Sequence, residues 1–158
     1  MIIIMNTHIK PAISLKPFNQ KNQIELKQLI LEGLGEHWGT IDPLKNPDLD
    51  DISKSYGKDE FILAWHKQQI IGAGAIVSLN DKTSKVVRMS VKKEYRRNGI
   101  GKRILDHLIN LATIKGHTKV TLETTTTWTE IIDFYTSYGF KITHHENEDT
   151  YFEYLIHE

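Results

Sequence analysis

The feature that most constrains the fold of this chain is a strand pattern followed by a glycine-containing loop, a helix pattern and a second strand pattern. Alternation of apolar and polar residues predicts a half-buried strand with Val87, Met89 and Val91 on one face. Apolar residues at helical spacing then predict a helix over residues 101–116, and renewed alternation predicts a strand over residues 120–124. Because two strands joined through a helix pair in parallel, the sheet must contain at least one parallel pair.

The remaining patterns complete an α/β fold with a mixed sheet. Helices are predicted at residues 19–32, 47–56 and 129–138, and strands at residues 8–15, 61–65, 70–79, 140–145 and 151–156. Asn19 and Gly33 have the residue types that cap a helix, and Thr127 and Glu130 have the spacing of a capping box. We expect a mostly antiparallel sheet with one central parallel pair, flanked by helices.

The composition of the chain restricts both its architecture and its chemistry. A chain of 158 residues with 39% hydrophobic residues has the size of one domain, expected to span residues 1–158. The absence of cysteine excludes disulfides, thiolate nucleophiles and cysteine metal ligands. Zero net charge gives no global attraction for nucleic acid or membranes, and the apolar residues 1–5 are too short to span a bilayer. We therefore expect neither nucleic acid nor a membrane as a partner, and we expect a cytoplasmic location.

No metal site is expected either. The chain has eight histidines, but they are scattered along the sequence. Only His144 and His145 are adjacent, and neighbours in a strand point to opposite faces of the sheet.

The loop at Arg96-Arg97-Asn98-Gly99-Ile100-Gly101 opens directly into the central helix and predicts an anion site. The free backbone N–H groups of a helix N-terminus bind phosphate, and glycine allows close approach. Arg96, Arg97 and Lys102 add positive charge. The loop departs from the P-loop pattern, because Arg103 follows Lys102, and from the dinucleotide pattern, because Ile104 replaces the third glycine. A helix start with a turn glycine and solvated basic residues is the plain alternative.

Together with the preceding strand, this loop resembles the acetyl-CoA signature of the GNAT N-acetyltransferase family, Gln/Arg-x-x-Gly-x-Gly/Ala. The match lies at Arg96, Gly99 and Gly101, whereas Lys93 stands where the family often has proline. The resemblance implies the GNAT acyltransferase fold and acetyl-CoA as cosubstrate, with no metal. The residues that it implies for donor binding are Met89, Ser90 and Val91, through their backbone, and Arg96, Arg97, Asn98, Gly99, Ile100, Gly101 and Lys102.

A second segment, Phe134-Tyr135-Thr136-Ser137-Tyr138-Gly139-Phe140, resembles the segment that closes the last helix of that family. The resemblance implies that Tyr135 lies near the thioester sulfur and protonates the departing CoA thiolate; a core aromatic is the alternative. Trp128 stands where the family often has an asparagine that contacts CoA. It can pack against the pantetheine arm or fill the core.

The resemblance also implies direct transfer of the acetyl group to a primary amine of a small molecule or peptide. The family builds its substrate wall where this chain has Glu36-His37-Trp38-Gly39, so His37 and Trp38 are candidates for acceptor contacts. His37 and Glu123 are candidate general bases, against a solvated histidine and a surface carboxylate. Nearby aspartates can attract a cationic amine or cap helices: Asp42, Asp48, Asp50 and Asp51.

Two other functions are also compatible with the sequence. One is a CoA-binding module of the same fold that transfers nothing, since a fold does not guarantee an activity. The other is a nucleic-acid binder that uses the basic residues around the loop. Both a monomer and a homodimer fit the sequence.

Overall fold

The computed structural model describes residues 11–39, 43–57 and 60–157, in which one seven-stranded sheet forms the frame. Its strands are β1 (Ser14–Pro17), β2 (Phe61–His66), β3 (Gln69–Ser78), β4 (Thr83–Val91), β5 (Lys119–Thr125), β6 (Lys141–Glu146) and β7 (Asp149–Leu155). Their order in the sheet is β1-β2-β3-β4-β5-β7-β6. β4 and β5 are parallel, and all other neighbours in this sheet are antiparallel. The predicted mixed sheet with one parallel pair is confirmed.

Helices cover both faces of this sheet. They are α1 (Gln23–Trp38), α2 (Ile52–Ser55), α3 (Ile100–Ile114) and α4 (Thr129–Tyr138). α3 and α4 belong to a core with one face of the sheet, and α1 and α2 belong to a second core with the other face. No helix in the described parts of the chain is long and apolar enough to cross a membrane.

The first helix is longer than the sequence predicts. Asn19 caps its opening 3-10 turn as expected, since its side chain accepts a hydrogen bond from the N–H of Lys21 at 3.1 Å. The predicted end at Gly33 is wrong, because α1 continues to Trp38 and stops at Gly39, whose φ of 73° favours glycine. A Cβ on Gly33 would lie 3.0 Å from the Oγ of Ser90. This glycine therefore serves the close packing of α1 on β4.

The first strand and the predicted cap of α4 also differ from the prediction, although α4 itself spans the predicted residues. β1 begins at Ser14, and residues 8–10 of the predicted first strand lie outside the described residues. The capping box of Thr127 and Glu130 is absent, because the N-cap position of α4 is Trp128, whose carbonyl accepts from the N–H groups of Ile131 and Ile132. The helix starts one residue later than the capping-box spacing requires.

A β-bulge interrupts β4 beside Gly74 of β3. Ala73 pairs with Ser90 and Ala75 with Val87, so two residues of β4, Arg88 and Met89, face the single residue Gly74. The extra residue changes the alternation of side chains. Val87 therefore packs in the core beside α1, whereas Met89 and Val91 pack in the core beside α3. The predicted common face of these three residues is wrong for this reason.

The bulge requires a glycine at position 74. A Cβ there would lie 2.4 Å from the Sδ of Met89 and 2.9 Å from the Cγ2 of Ile104. We expect Gly74→Ala to lower the free energy of unfolding by about 1–3 kcal/mol, the usual cost of overfilling a core. Urea unfolding measures the loss, and Met89→Ala in the same chain should restore part of it. A Gly74→Ala protein as stable as the wild type would contradict this packing.

Candidate active site

The parallel strands β4 and β5 separate to form a wedge that opens towards their C-terminal ends, where the loop to α3 begins. They pair only where residues 83–85 face residues 119–121, although β4 continues to Val91 and β5 to Thr125. β5 is paired with β7 along its whole length, and β4 remains paired with β3 up to Val91. The edge of β4 beyond Lys85 that faces β5 therefore has no strand partner, and its backbone groups can bind an extended ligand.

The loop after β4 leads to the N-terminus of α3 through two left-handed residues. Arg97 has φ 64°, and Gly99, at the N-cap position, has φ 75°. No side chain caps this helix, and a Cβ on Gly99 would meet nothing within 4 Å. The first N–H groups of α3 are thus open to an anion. The amide of Asn98 donates to the carbonyls of Tyr95 at 3.0 Å and Arg96 at 3.2 Å, which shapes the turn.

The basic side chains of this loop differ in their partners. The Arg96 guanidinium forms an ion pair with Glu36 at 2.7 Å and donates to the carbonyl of Val91 at 3.0 Å. Lys102 pairs with Asp106 at 3.1 Å on the same helix, whereas Arg97 is exposed. The loop residues predicted for donor binding are therefore brought together, but the charge of Arg96 is partly balanced by α1.

Tyr135 lies in the core that α3 shares with the two strands of the wedge. It is 6% exposed and shares one core with Val86 of β4, Leu122 of β5 and Ile100 of α3. In the described residues its hydroxyl makes no hydrogen bond, while every fully buried side-chain nitrogen or oxygen has a partner. The hydroxyl therefore keeps some contact with solvent. Burial raises the pKa of Tyr135, so the phenol is protonated at neutral pH.

α4 is also packed directly on the start of α3. A Cβ on Gly101 would lie 3.3 Å from the Cζ of Phe134, the neighbour of Tyr135. Gly101 thus allows close contact between the two helices. The two sequence segments that resemble the family are adjacent in space.

The last turn of α1 packs on the residue that precedes α4. The ring of His37 stacks on Trp128, with centroids 4.1 Å apart, and Trp38 meets the same indole edge-on at 5.5 Å. Trp38 is nevertheless 57% exposed. The two predicted acceptor residues therefore form one aromatic cluster with Trp128.

Glu123 lies on the other face of β5 from the core that holds Tyr135. Its neighbour Leu122 packs in that core, and successive strand residues point to opposite faces. The carboxylate forms an ion pair with Lys85 at 2.7 Å. The structure thus separates Glu123 from Tyr135 by the thickness of the sheet and gives its charge a partner.

The aspartates near the predicted substrate wall have structural partners. Asp51 caps α2 by accepting from the N–H of Lys54 at 3.3 Å, and Asp50 pairs with Lys27 at 2.8 Å. Asp48 pairs with Arg88, and Asp42 lies outside the described residues. The three aspartates within the described residues therefore cap a helix or form ion pairs, as one of the two interpretations of the cluster expects.

Arg88 binds Asp48, which lies 40 residues earlier in the chain, and sequence patterns do not predict this contact. Its guanidinium donates to both carboxylate oxygens of Asp48, at 2.5 and 3.0 Å, and to the side-chain oxygen of Asn46 at 3.1 Å. The hydroxyl of Tyr56 donates to the same carboxylate at 2.6 Å. Burial alone would raise the pKa of Asp48, but the hydrogen bonds from Arg88 and Tyr56 outweigh it and hold that pKa below its usual value.

Tyr56 gives this network a pH dependence. Burial and the carboxylate of Asp48 raise the pKa of Tyr56 to about 12. Because folding favours the protonated phenol, its stabilising contribution is complete below the ordinary pKa of 10 and is lost as the pH rises through 12. We expect the difference in unfolding free energy between wild type and Tyr56→Phe to shrink between pH 9 and pH 12. Urea unfolding at both pH values measures it, and a constant difference would contradict the assignment.

The histidines provide no metal site within the described residues. There, no group of three or more histidine, aspartate or glutamate side chains is placed to hold an ion. His144 stacks on Tyr151 with centroids 4.4 Å apart, and His145 shares a hydrogen bond with Thr150 at 2.9 Å.

The family of the chain follows from its similarity to known proteins. The profile of the acetyltransferase (GNAT) domain matches residues 57–142, which include β4, the glycine loop, α3 and α4. The chain belongs to the GNAT acetyltransferase family. It is 30% identical over 104 residues to human N-acetyltransferase 8, covering 61% of this chain and 46% of the relative. It is 31% identical over 103 residues to N-acetyltransferase 8F1 of Rattus norvegicus, covering 61% and 47%. The chain thus spans about half the length of these curated relatives.

Solved GNAT structures match nearly the whole fold. A GNAT-family acetyltransferase from Staphylococcus aureus Mu50 superimposes with a TM-score of 0.84 and 25% identity, covering 91% of this chain and 99% of that one. The PaiA N-acetyltransferase of Thermoplasma acidophilum, solved with coenzyme A, gives a TM-score of 0.80 at 18% identity, covering 92% and 99%. The similarity to the PaiA structure supports the fold of this chain, and the bound coenzyme A belongs to PaiA.

Proposed function

We propose that this GNAT chain acts as a single domain that transfers the acetyl group of acetyl-CoA directly to a primary amine. The observation that carries the proposal is the juxtaposition of three features: the wedge between β4 and β5, the uncapped N-terminus of α3, and the buried phenol of Tyr135. The wedge can bind the extended pantetheine arm of acetyl-CoA, and the N-terminus of α3 can bind its phosphates. The phenol can donate a hydrogen bond to the departing thiolate. Coenzyme A in the PaiA structure supports this choice of donor.

The donor would lie along the open edge of β4. The pantetheine arm has amide donors and acceptors, and the backbone of Met89 to Val91 can pair with it as an added strand. A backbone N–H of this edge polarises the thioester carbonyl and stabilises the oxyanion of the tetrahedral intermediate. The pyrophosphate binds the first N–H groups of α3, and the exposed Arg97 adds charge.

Tyr135 is proposed to assist departure of the thiolate. Its raised pKa keeps the proton on the phenol, as an acid requires. A thiol has an ordinary pKa of about 8.5, so the tyrosinate is a stronger base than the thiolate. The phenol therefore donates a hydrogen bond to the negative charge that develops on sulfur as the C–S bond breaks. The proton that the attacking nitrogen loses balances the proton that the thiolate gains.

The acceptor attacks as a neutral amine and forms the amide bond as the C–S bond breaks. No covalent enzyme intermediate is needed, which agrees with the absence of cysteine. The packing of His37 and Trp38 on Trp128 supports a role for both in the wall of the acceptor site, whereas the ion pair of Glu123 with Lys85 favours a structural role for that carboxylate. The acceptor is a small-molecule or peptide amine.

Binding of the donor is tested by thermal unfolding with acetyl-CoA. At a concentration about 100 times the dissociation constant, a ligand of the native state adds about 2.7 kcal/mol. For a chain of this size we expect Tm to rise by about 5–10 °C. No rise at hundreds of micromolar acetyl-CoA would reject the proposed donor.

Transfer is tested by the release of free thiol with a panel of polyamines, amino acids, aminoglycosides and peptides. Release that depends on the amine supports an acetyltransferase. Stabilisation by acetyl-CoA without thiol release from any acceptor would instead favour a CoA-binding module. Tight binding of DNA or RNA at moderate salt in a filter assay would favour the nucleic-acid alternative.

A further inference from the structure

The backbone of Arg88 adopts a conformation that its residue type does not favour. Its φ of 56° is left-handed, which crowds the Cβ of any residue other than glycine. The conformation occurs in the middle of β4, at the bulge opposite Gly74. A strained residue of this kind persists only where its surroundings hold it in place.

The side chain of Arg88 shows what holds it. Two guanidinium nitrogens bind the two oxygens of Asp48, and a third binds Asn46. The phenol of Tyr56 completes the coordination of Asp48. The side chains of Arg88 and Asp48 are only 20% and 30% exposed, so this bidentate pair is shielded more than an ordinary surface ion pair.

The network joins the bulge to the segment that contains residues 46–56. From the second residue of the bulge onwards, Met89 and Val91 pack in the core beside α3, and their backbone forms the open edge of the wedge. Any relaxation of Arg88 to an extended conformation would rotate the peptide groups that follow it. The geometry of the open edge thus depends on a residue whose side chain points away from it.

We propose that Arg88, Asp48 and Tyr56 are positioning residues that hold the β4 bulge in the shape that receives the acyl-pantetheine arm. This inference rests on the proposed function, because it assumes that the edge of Met89 to Val91 binds the donor. None of the three residues needs to touch the donor. The inference concerns backbone geometry, so it can be separated from a simple effect on stability.

The decisive comparison is between Arg88→Met and Arg88→Gly. Both remove the ion pair, but glycine adopts the left-handed conformation freely, whereas methionine does not. We expect Arg88→Met to raise the KM for acetyl-CoA about tenfold, in line with the cost of an uncompensated left-handed residue. Arg88→Gly should stay within about threefold of the wild type, although it has lost the same contacts.

Asp48→Asn supplies a second and independent variant. Alone it weakens the hold on Arg88 and should raise the KM for acetyl-CoA several-fold. In the Arg88→Gly background it should have no further effect on that KM, because the two residues act through one interaction. Lys27→Met is the matched control, since it removes an ion pair between α1 and the same segment, at Asp50, but leaves Asp48 and its contact with Arg88 in place. It should leave both kcat and KM unchanged.

Steady-state thiol release and calorimetric binding of acetyl-CoA measure these effects, with Tm recorded for each variant. Equal KM values for the methionine and glycine variants would overturn the inference, as would a wild-type KM in both Arg88→Met and Asp48→Asn. A wild-type protein that neither binds nor turns over acetyl-CoA would overturn the proposed function as well. An active wild type with unaffected variants would overturn only the positioning network.

Discussion

Replacement of Tyr135 by phenylalanine is expected to lower kcat about 10²-fold at saturating acetyl-CoA, with little change in stability. The expected loss lies at the lower end of the range for general acids, because a thiolate is a moderate leaving group. Stability should be preserved because the hydroxyl has no hydrogen-bond partner among the described residues, and the ring keeps its contacts with Phe134, Phe140 and Phe152. Thiol-release kinetics and Tm separate the two effects.

Tyr138 offers a matched control on the same helix. Its hydroxyl donates to Asp106 at 2.7 Å, so Tyr138→Phe should cost about 0.5–1.5 kcal/mol of stability and leave kcat unchanged. The two variants thus have opposite signatures. If Tyr135→Phe retains full turnover at saturating donor, the phenol has no part in departure of the thiolate, and Tyr135 is a core aromatic.

The parts of the fold that the sequence predicts are those governed by local chemistry. The stripe of α3 and the glycine loop depend on residues close together in the chain, and both lie where the pattern indicates. Parallel pairing of β4 and β5 follows from the helix between them. The adjacency of Gly101 and Phe134 is not predicted, because it joins two segments more than 30 residues apart.

The parts that the sequence does not predict depend on distant partners. The bulge at Arg88 changes which residues of β4 face each core, and nothing near Arg88 in the sequence shows that Asp48 binds it. Likewise, Gly33 has the residue type of a helix end, but it lies inside α1, where a Cβ would crowd the Oγ of Ser90. Residue type and spacing describe local preference and do not show such tertiary contacts.

The role of Glu123 shows the same limit at the candidate site. A carboxylate at the end of a strand is compatible with a general base, a substrate contact or an ion pair. Its position on the face opposite to Tyr135 and its contact with Lys85 distinguish these roles only once the sheet is assembled. The donor half of the site is accordingly better defined by sequence than the acceptor half.

Replacement of Gly101 by aspartate is expected to weaken acetyl-CoA binding by about 10²-fold or more while leaving the protein folded. A carboxylate in the first turn of α3 would stand where the phosphates are proposed to bind, and repulsion between close charges costs several kcal/mol. The same carboxylate stabilises a helix N-terminus by about 0.3–1 kcal/mol, and replacement of glycine by aspartate adds about 0.3 kcal/mol of helix propensity. These gains offset the small shift that Phe134 must make, 3.3 Å from the new Cβ.

Asn110→Asp is the matched control, because it adds the same charge at an exposed position further along α3. Calorimetric titration with acetyl-CoA should show wild-type affinity for this control and a dissociation constant about 10²-fold higher for Gly101→Asp. The loss should shrink as salt is added, since screening weakens repulsion between exposed charges. Equal affinities of the two variants would place the phosphates elsewhere. A lower Tm for Gly101→Asp would instead show that the close packing of Phe134 on α3 outweighs the gain in helix stability.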